Sequence, residues 1–192
     1  MKKHLLSAAL LAVLGFSTIG AASAVDGKIT FTGTISDQTC SVTGGTGTNG
    51  AAGDFTVTLP TVATTALSAA DKVAGETPFT VVIGGSGQTG CGAGTPAKVA
   101  RLHFEALSSP VSASTGRLIN QAASGATKVE VELLSKDNKP INIATGENAT
   151  GSEETITGNT ATLKYGARYH ATGGASTAGA VSTYVNYTIV YK

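Results

Sequence analysis

The segment Val181-Ser182-Thr183-Tyr184-Val185-Asn186-Tyr187-Thr188-Ile189-Val190-Tyr191-Lys192 decides the fold of this chain. Its odd positions Val181, Val185, Tyr187, Ile189 and Tyr191 are apolar, while Ser182, Asn186, Thr188 and Lys192 on the other parity are polar. Side chains alternate between faces along an extended chain, so the pattern specifies a half-buried strand over Tyr184 to Lys192. Near the other end, Val25, Gly27, Ile29, Phe31 and Gly33 share one face, and Asp26, Lys28, Thr30 and Thr32 share the other. Two such segments are suited to strand pairing, including pairing between molecules.

A leader precedes the second segment. Met1-Lys2-Lys3-His4 is short and basic, Leu5 to Ile19 is an apolar run, and Ala22-Ser23-Ala24 fits the small-x-small rule of a cleavage site. A membrane span needs about 20 apolar residues, and this run is shorter and passes directly into small ones. Residues 1–24 are therefore expected to be a secretory signal peptide, cleavage after Ala24 making Val25 the mature N-terminus, with Gly20-Ala21-Ala22 as an alternative site.

Val25 to Lys192 spans 168 residues, a length that suits one domain. Without Lys2 and Lys3, 11 basic side chains stand against 12 acidic ones, a net charge of −1 with no charge runs. Such a surface attracts neither nucleic acid nor an anionic membrane. Trp is absent and Gly, Thr and Ser abound, which suits a β protein with many turns better than a helical one. Cys40 and Cys91 are the only cysteines, and export places them in an oxidising compartment, so they are expected to pair. Closing that loop stabilises the fold by about 4 kcal/mol on the chain-entropy view. A metal or redox pair is disfavoured, because CxxC spacing and neighbouring ligands are both missing.

Ile35 to Val42 continues the first strand region, and Gly44 to Gly53 reads as a flexible glycine-rich loop for surface display. Phe55-Thr56-Val57-Thr58-Leu59 alternates and stops at Pro60. One helical turn is expected within Thr65 to Val73, with Ser68 as its cap and Asp71 in its first turn. Further strands are expected at Phe79 to Ile83, Val99 to Leu107, Lys128 to Leu134, Ile141 to Ile143, Thr160 to Tyr165 and Ala167 to Ala171. Asp137-Asn138-Lys139-Pro140 has the chemistry of a turn. Short strands at this spacing, joined by Gly-rich turns, indicate an all-β chain folded as an immunoglobulin-type β-sandwich.

Chemistry-bearing motifs are scarce. Gly85-Ser86-Gly87-Gln88-Thr89-Gly90 matches GxGxxG after a strand, with Glu105 twenty residues past Gly85. Cys91-Gly92-Ala93-Gly94-Thr95-Pro96 cannot supply the helix N-terminus that would bind a pyrophosphate, so a plain glycine loop is the better reading. His103 and His170 lie on the parity opposite their apolar neighbours and are read as solvent-facing. Glu130 with Glu132 sits on the polar face of a strand and Glu153 with Glu154 in a loop, and a solvated surface accounts for both pairs. With no nucleophile elbow and no metal-ligand cluster, no catalytic residue, cofactor or metal site is assigned, and the chain is not expected to be an enzyme.

Taken together, the residues resemble the structural subunits of chaperone-usher pili, in particular the major rod subunits of type 1 and P pili. The likeness runs from Gly27-Lys28-Ile29-Thr30-Phe31-Thr32-Gly33 through Ile35 to Cys40 and Cys91. It continues through Gly116-Arg117-Leu118, the strand and turn from Val129 to Pro140, and Ala167-Arg168-Tyr169. Its most specific part is the ending, with a glycine fourteenth from the C-terminus, Gly179, and a penultimate tyrosine, Tyr191.

The resemblance implies an incomplete immunoglobulin-like sandwich that lacks its last strand and is completed by a donor strand from a neighbouring subunit. Residues 25–33 would be the donor-strand extension and 34–192 the pilin domain. Val25, Gly27, Ile29 and Phe31 would enter the neighbour's groove, with Gly27 at a shallow pocket. The C-terminal strand, marked by Gly179, Val185, Tyr187, Ile189 and Tyr191, would line that groove and meet the chaperone. The implied partners are other pilus subunits, most simply further copies of this chain, a periplasmic chaperone and an outer-membrane usher. The implied function is that of a structural subunit of an adhesive surface fimbria, exported through the periplasm to the bacterial cell surface. The alternatives are a minor or adaptor pilus subunit and, behind it, a self-contained exported carbohydrate-binding β-sandwich.

Overall fold

Alternating runs rich in Val, Thr, Leu and aromatic residues build nine strands among the described residues. The computed structural model describes residues 30–32, 40–50, 53–88, 91, 99–147 and 149–192. Two bodies are distinguished, Met1–Ile35 and Ser36–Lys192. All nine strands belong to the second: β1 (Val42–Gly44), β2 (Val73–Gly84), β3 (Val99–Phe104), β4 (Leu118–Ile119), β5 (Val129–Leu134), β6 (Pro140–Ile141), β7 (Glu154–Thr155), β8 (Thr160–Ala171) and β9 (Tyr187–Tyr191). One sheet has the order β1-β2-β8-β5-β4, with β6 also pairing β5, and the other has the order β7-β3-β9. Every pairing between these strands is antiparallel.

Inward-facing residues of both sheets form one core, among them Phe79, Val81 and Ile83 of β2, Leu102 and Phe104 of β3, Val131 and Leu133 of β5, and Leu163 of β8. Tyr165 of β8 ties the two sheets together. Its ring stacks on Phe79 at 5.8 Å and meets the edge of Phe104 at 5.4 Å. Its hydroxyl accepts a 3.1 Å bond from the Leu102 backbone N–H, and burial raises the phenol from its ordinary 10.0 to about 12. The expected disulfide is present: Cys40 and Cys91 are joined, pinning the start of β1 to the chain beyond β2.

Several local expectations are corrected. The Thr160 to Tyr165 and Ala167 to Ala171 strands are one strand, because Gly166 continues the ladder opposite Pro78 and Leu134. The helical turn is a single 3-10 turn over Thr64–Leu67, and Ser68 follows it rather than capping its start. Leu67 alone needs burial there, against Ala126, Val129 and Ala171, and one turn is enough to place it. In Gly44 to Gly53, the described part is not a free loop: Gly45 N–H donates to Thr80 O, and Thr80 N–H donates to Thr46 O, both at 2.9 Å. Gly47 has φ +79°, and a Cβ there would stand 2.4 Å from the Pro78 carbonyl oxygen, so these glycines let the backbone lie against β2.

His103 is exposed as expected, but Glu130, Glu132 and His170 are not solvent-facing; they are 7%, 3% and 6% exposed. Their parity is as read, on the face away from the core, yet Arg168 of the neighbouring β8 and Arg117, just before β4, roof them. Glu132 accepts from Arg117 Nε at 3.0 Å and from Arg168 Nε at 2.8 Å. Glu130 accepts from Thr115 Oγ1 at 2.9 Å and lies 3.6 Å from the Arg117 guanidinium. His170 stands within 4.0 Å of both Asp71 and Glu132.

Replacing Tyr165 by Phe leaves the buried Leu102 N–H without its partner and is expected to lower the unfolding free energy by about 1–3 kcal/mol, measured in urea with the disulfide intact. The raised pKa has a definite sign. The folded state disfavours the phenolate, so this stabilisation is complete below pH 10 and lost as pH rises toward about 12. Phenolate absorbance should report a late-titrating tyrosine in the wild type that is missing in Tyr165→Phe.

Candidate functional site

The C-terminal alternation is preserved from Val181 onward: Val181, Thr183, Val185, Tyr187 and Ile189 are half-buried, and Ser182, Tyr184, Asn186 and Thr188 are exposed. Only Tyr187–Tyr191 forms a ladder, with β3, where Phe104 pairs Tyr187 and Ala100 pairs Tyr191. Phe55, Val57 and Leu59 on a second extended segment show the same half-burial, with Asp54, Thr56 and Thr58 exposed. These two segments are the walls of a groove of about 560 Å³, floored by core residues including Phe79, Leu102, Phe104, Val131 and Tyr169. A smaller cavity of about 390 Å³ continues it between Thr61–Leu67 and Ser176–Val181, and Tyr169 and Val181 line both. The groove is apolar within and polar at its rim, and Asp54 is the one charged residue among its lining.

Backbone hydrogen bonding explains why the groove is open. On the C-terminal wall the even-numbered residues are paired on the outer side. Ala180 O accepts from Ala126 N–H at 2.9 Å, Ser182 O from Gln121 N–H at 2.7 Å, and Asn186 O from Glu105 N–H at 2.8 Å. On the other wall, Thr56 exchanges bonds of 2.7 and 2.8 Å with Asn49. Successive backbone groups of an extended chain point to opposite edges. The N–H and C=O groups of Phe55, Val57 and Leu59, and of Val181, Thr183 and Val185, therefore face each other across the gap. None of these six residues has a backbone partner among the described residues. The Thr183 hydroxyl is likewise buried without one. An edge of this kind is a template for a further strand.

Tertiary contacts hold the C-terminal wall in place. Asn120 donates from Nδ2 to Ala126 O at 2.9 Å and to Ala180 O at 3.0 Å, and its Oδ1 accepts from Ser182 N–H at 2.9 Å. Gly179 has φ +154°, and a Cβ on it would lie 2.4 Å from Ala126 N and 2.7 Å from Gly125 C. Only glycine allows this close passage beside the smaller cavity. At the far end of the groove the Tyr187 hydroxyl donates to Gly53 O, bridging the walls, and its ring lies 5.9 Å from Phe55. Burial raises the Tyr187 phenol above its ordinary value, and the Asp54 carboxylate adds to the shift. Tyr191 is also raised by burial, partly offset by a hydrogen bond with the Cys40 backbone.

Among the residues singled out from the sequence, Val185 and Tyr187 line the larger cavity and Gly179 the smaller one. Ile189 and Tyr191 lie further along β9 and pack against the core. Phe31 is 89% exposed, while Val25, Gly27 and Ile29 lie outside the described residues. Sequence reading missed Asn120 and did not assign the extended segment Phe55 to Leu59 to a groove wall. Asn120 gave no signal, since two of its partners are about 60 positions away. The alternation of 55–59 was visible, but not the edge it leaves unpaired.

An incomplete immunoglobulin-like sandwich, with one strand position left unfilled among the described residues, is the class of protein this geometry defines. Residues 59–192 match the family FimA, type-1 fimbrial protein, A, and the chain belongs to that family of fimbrial structural subunits. It is 41% identical over 189 residues to the F17 fimbrial protein of Escherichia coli, covering 95% of this chain and 97% of that one. It is also 41% identical over 178 residues to the major fimbrial subunit SMF-1 of Stenotrophomonas maltophilia (strain K279a), covering 90% and 96%. Among solved structures, the P pilus rod subunit PapA shares the fold at TM-score 0.53 and 16% identity, over 80% of this chain and 99% of PapA. The chain is a structural fimbrial subunit, and its place is a surface fimbrium reached by export through the periplasm.

Gly179→Val is expected to force the 176–182 segment away from Ala126 and to lower the unfolding free energy by about 1–3 kcal/mol in urea. Gly85→Ala, where a Cβ would meet nothing within 4 Å, should change it by less than about 0.5 kcal/mol.

Proposed function

We propose that this chain polymerises by donor-strand exchange, its groove accepting residues 25–33 of the next subunit after removal of the signal peptide 1–24. The observation that carries this is the pair of unpaired backbone edges facing each other over an apolar floor, which one added strand would satisfy on both sides. Completion of a sheet by a chaperone or by a neighbouring pilin is a known instance of strand addition, in which main-chain bonds give affinity and alternate side-chain pockets give specificity. Val25, Ile29 and Phe31 would each gain roughly 1.5–3 kcal/mol on burial. Phe31 is already suited to this role, since it stands exposed on its own body.

The same vacancy calls for a protector before assembly, because an open apolar edge invites aggregation. A periplasmic chaperone lending a strand to the groove, and an outer-membrane usher exchanging that strand for the extension of another subunit, are the partners this reading assigns. The role is non-enzymatic, with a homopolymeric rod as the first reading and a minor or adaptor position as the alternative.

The test takes the processed chain lacking Val25 to Thr32, held by its chaperone, and adds a peptide covering Val25 to Gly33. Displacement of the chaperone and a complex that survives SDS without boiling are expected. A truncated chain that is a stable monomer and ignores the peptide would overturn the reading. One that needs the chaperone but refuses the peptide would point to a minor subunit with a different neighbour. In the peptide, Gly27→Leu should slow or block exchange.

A further inference from the structure

The groove is narrowed at two levels, and these limit how a strand can lie in it. At one end the Tyr187 hydroxyl crosses to Gly53 O. At the other, the larger cavity gives way to the smaller one at the level of Leu59, where Val181 and Tyr169 line both. The roomy stretch lies between, flanked by Phe55 and Val57 on one wall and by Thr183 and Val185 on the other.

The sheet β7-β3-β9 is wholly antiparallel, so an added strand that keeps it so runs antiparallel to the C-terminal wall and parallel to residues 53–59. The extension Gly27-Lys28-Ile29-Thr30-Phe31-Thr32-Gly33 has glycines six positions apart, bracketing its two large apolar side chains. Residues 53 and 59 are likewise six apart. Setting Gly27 level with Gly53 puts Gly33 level with Leu59, so both narrow places receive a residue without a side chain. Ile29 and Phe31 then fall level with Phe55 and Val57, where there is room. This register also sets Lys28, on the outward face, level with Asp54, the one charged residue lining the groove.

Resting on the donor-strand reading above, we infer that Lys28 of an incoming copy pairs with Asp54 of the receiving copy, and that this ion pair selects the register of insertion. Neighbouring strands lie about 4.8 Å apart, so side chains at one level on the same face are within ion-pair reach. Slipping the strand by one residue would turn Ile29 and Phe31 outward. A slip of two in one direction brings Asp26 level with Asp54, like charge against like, and drives Phe31 into the narrowing at Leu59. The opposite slip of two removes the pair and sets Ile29 against the Tyr187 bridge. Charge and shape thus choose the same alignment, and the occupant they choose is a second copy of this chain.

The experiment follows assembly of the full mature chain, released from its chaperone, into an SDS-resistant ladder at low and high salt. Lys28→Asp and Asp54→Lys, each alone, should slow ladder growth by about two- to tenfold at low salt, as for a rim charge set against its like. The double variant restores opposite charges in reversed order and should return to within about twofold of wild type, with all differences shrinking in high salt. Asp54 is exposed, and Asp54→Lys should leave the urea midpoint unchanged, which separates the effect from misfolding. Single variants that assemble at the wild-type rate, or a double variant no faster than the slower single, would overturn the ion pair and leave strand exchange standing. A wild-type chain that forms no ladder would overturn both.

Discussion

Backbone hydrogen bonding is the constraint on which the rest of this structure depends. A sandwich is complete when every strand edge is paired, covered or exposed to water without apolar surface beside it. Here the C-terminal wall is paired on its outer side, through β3, Asn120 and Gln121, and the 53–59 wall is paired to Asn49. Their inner sides face a gap over the core itself. Phe55, Val57, Val181 and Val185 are consequently half-buried where a closed sandwich would bury them fully, and among the described residues no strand fills the gap.

The rest of the chain makes that vacancy tolerable. Tyr165 joins the two sheets through its ring contacts and its bond to Leu102, so the core holds its shape from the floor of the groove. The disulfide secures β1 at the other end of the sandwich. On the outer face of the large sheet, Glu132 lies between Arg117 and Arg168 and links β5 to its neighbours by charge-assisted bonds. Removing one partner of such a buried set leaves an unpaired charge, which makes the network a strong constraint on strand order even where its net contribution to stability is small.

Much of this was legible in the residues. Period-two patterns placed β5 and β9 and the parity of their faces, and both halves of what is one strand in β8, because side-chain alternation is a local property of extended chain. The cysteine pair followed from count and compartment. What alternation could not give was whether a non-core face is wet. Glu130, Glu132 and His170 have the parity of solvent-facing residues and are buried all the same, because Arg168 of β8 and Thr115 and Arg117 of the turn before β4 are set beside them only by the fold. The glycine-rich stretch failed for a related reason: its glycines serve close backbone approach to β2, which composition reads as flexibility.

By itself, then, the sequence determined an exported all-β chain with one disulfide, a half-buried strand at its C-terminal end and an alternating pattern over residues 25–33, since each of these rests on spacing, parity or count. The tertiary structure alone decided that 53–59 and 181–187 stand as facing walls, that Asn120 and Gly179 fix one of them, and that the larger cavity between them ends at the Tyr187–Gly53 bridge and near Leu59. Those features depend on which edges meet and which edge is left empty. Contacts between residues as far apart in sequence as Asn120 and Ser182, or Gly53 and Tyr187, set that outcome, and no local pattern records it.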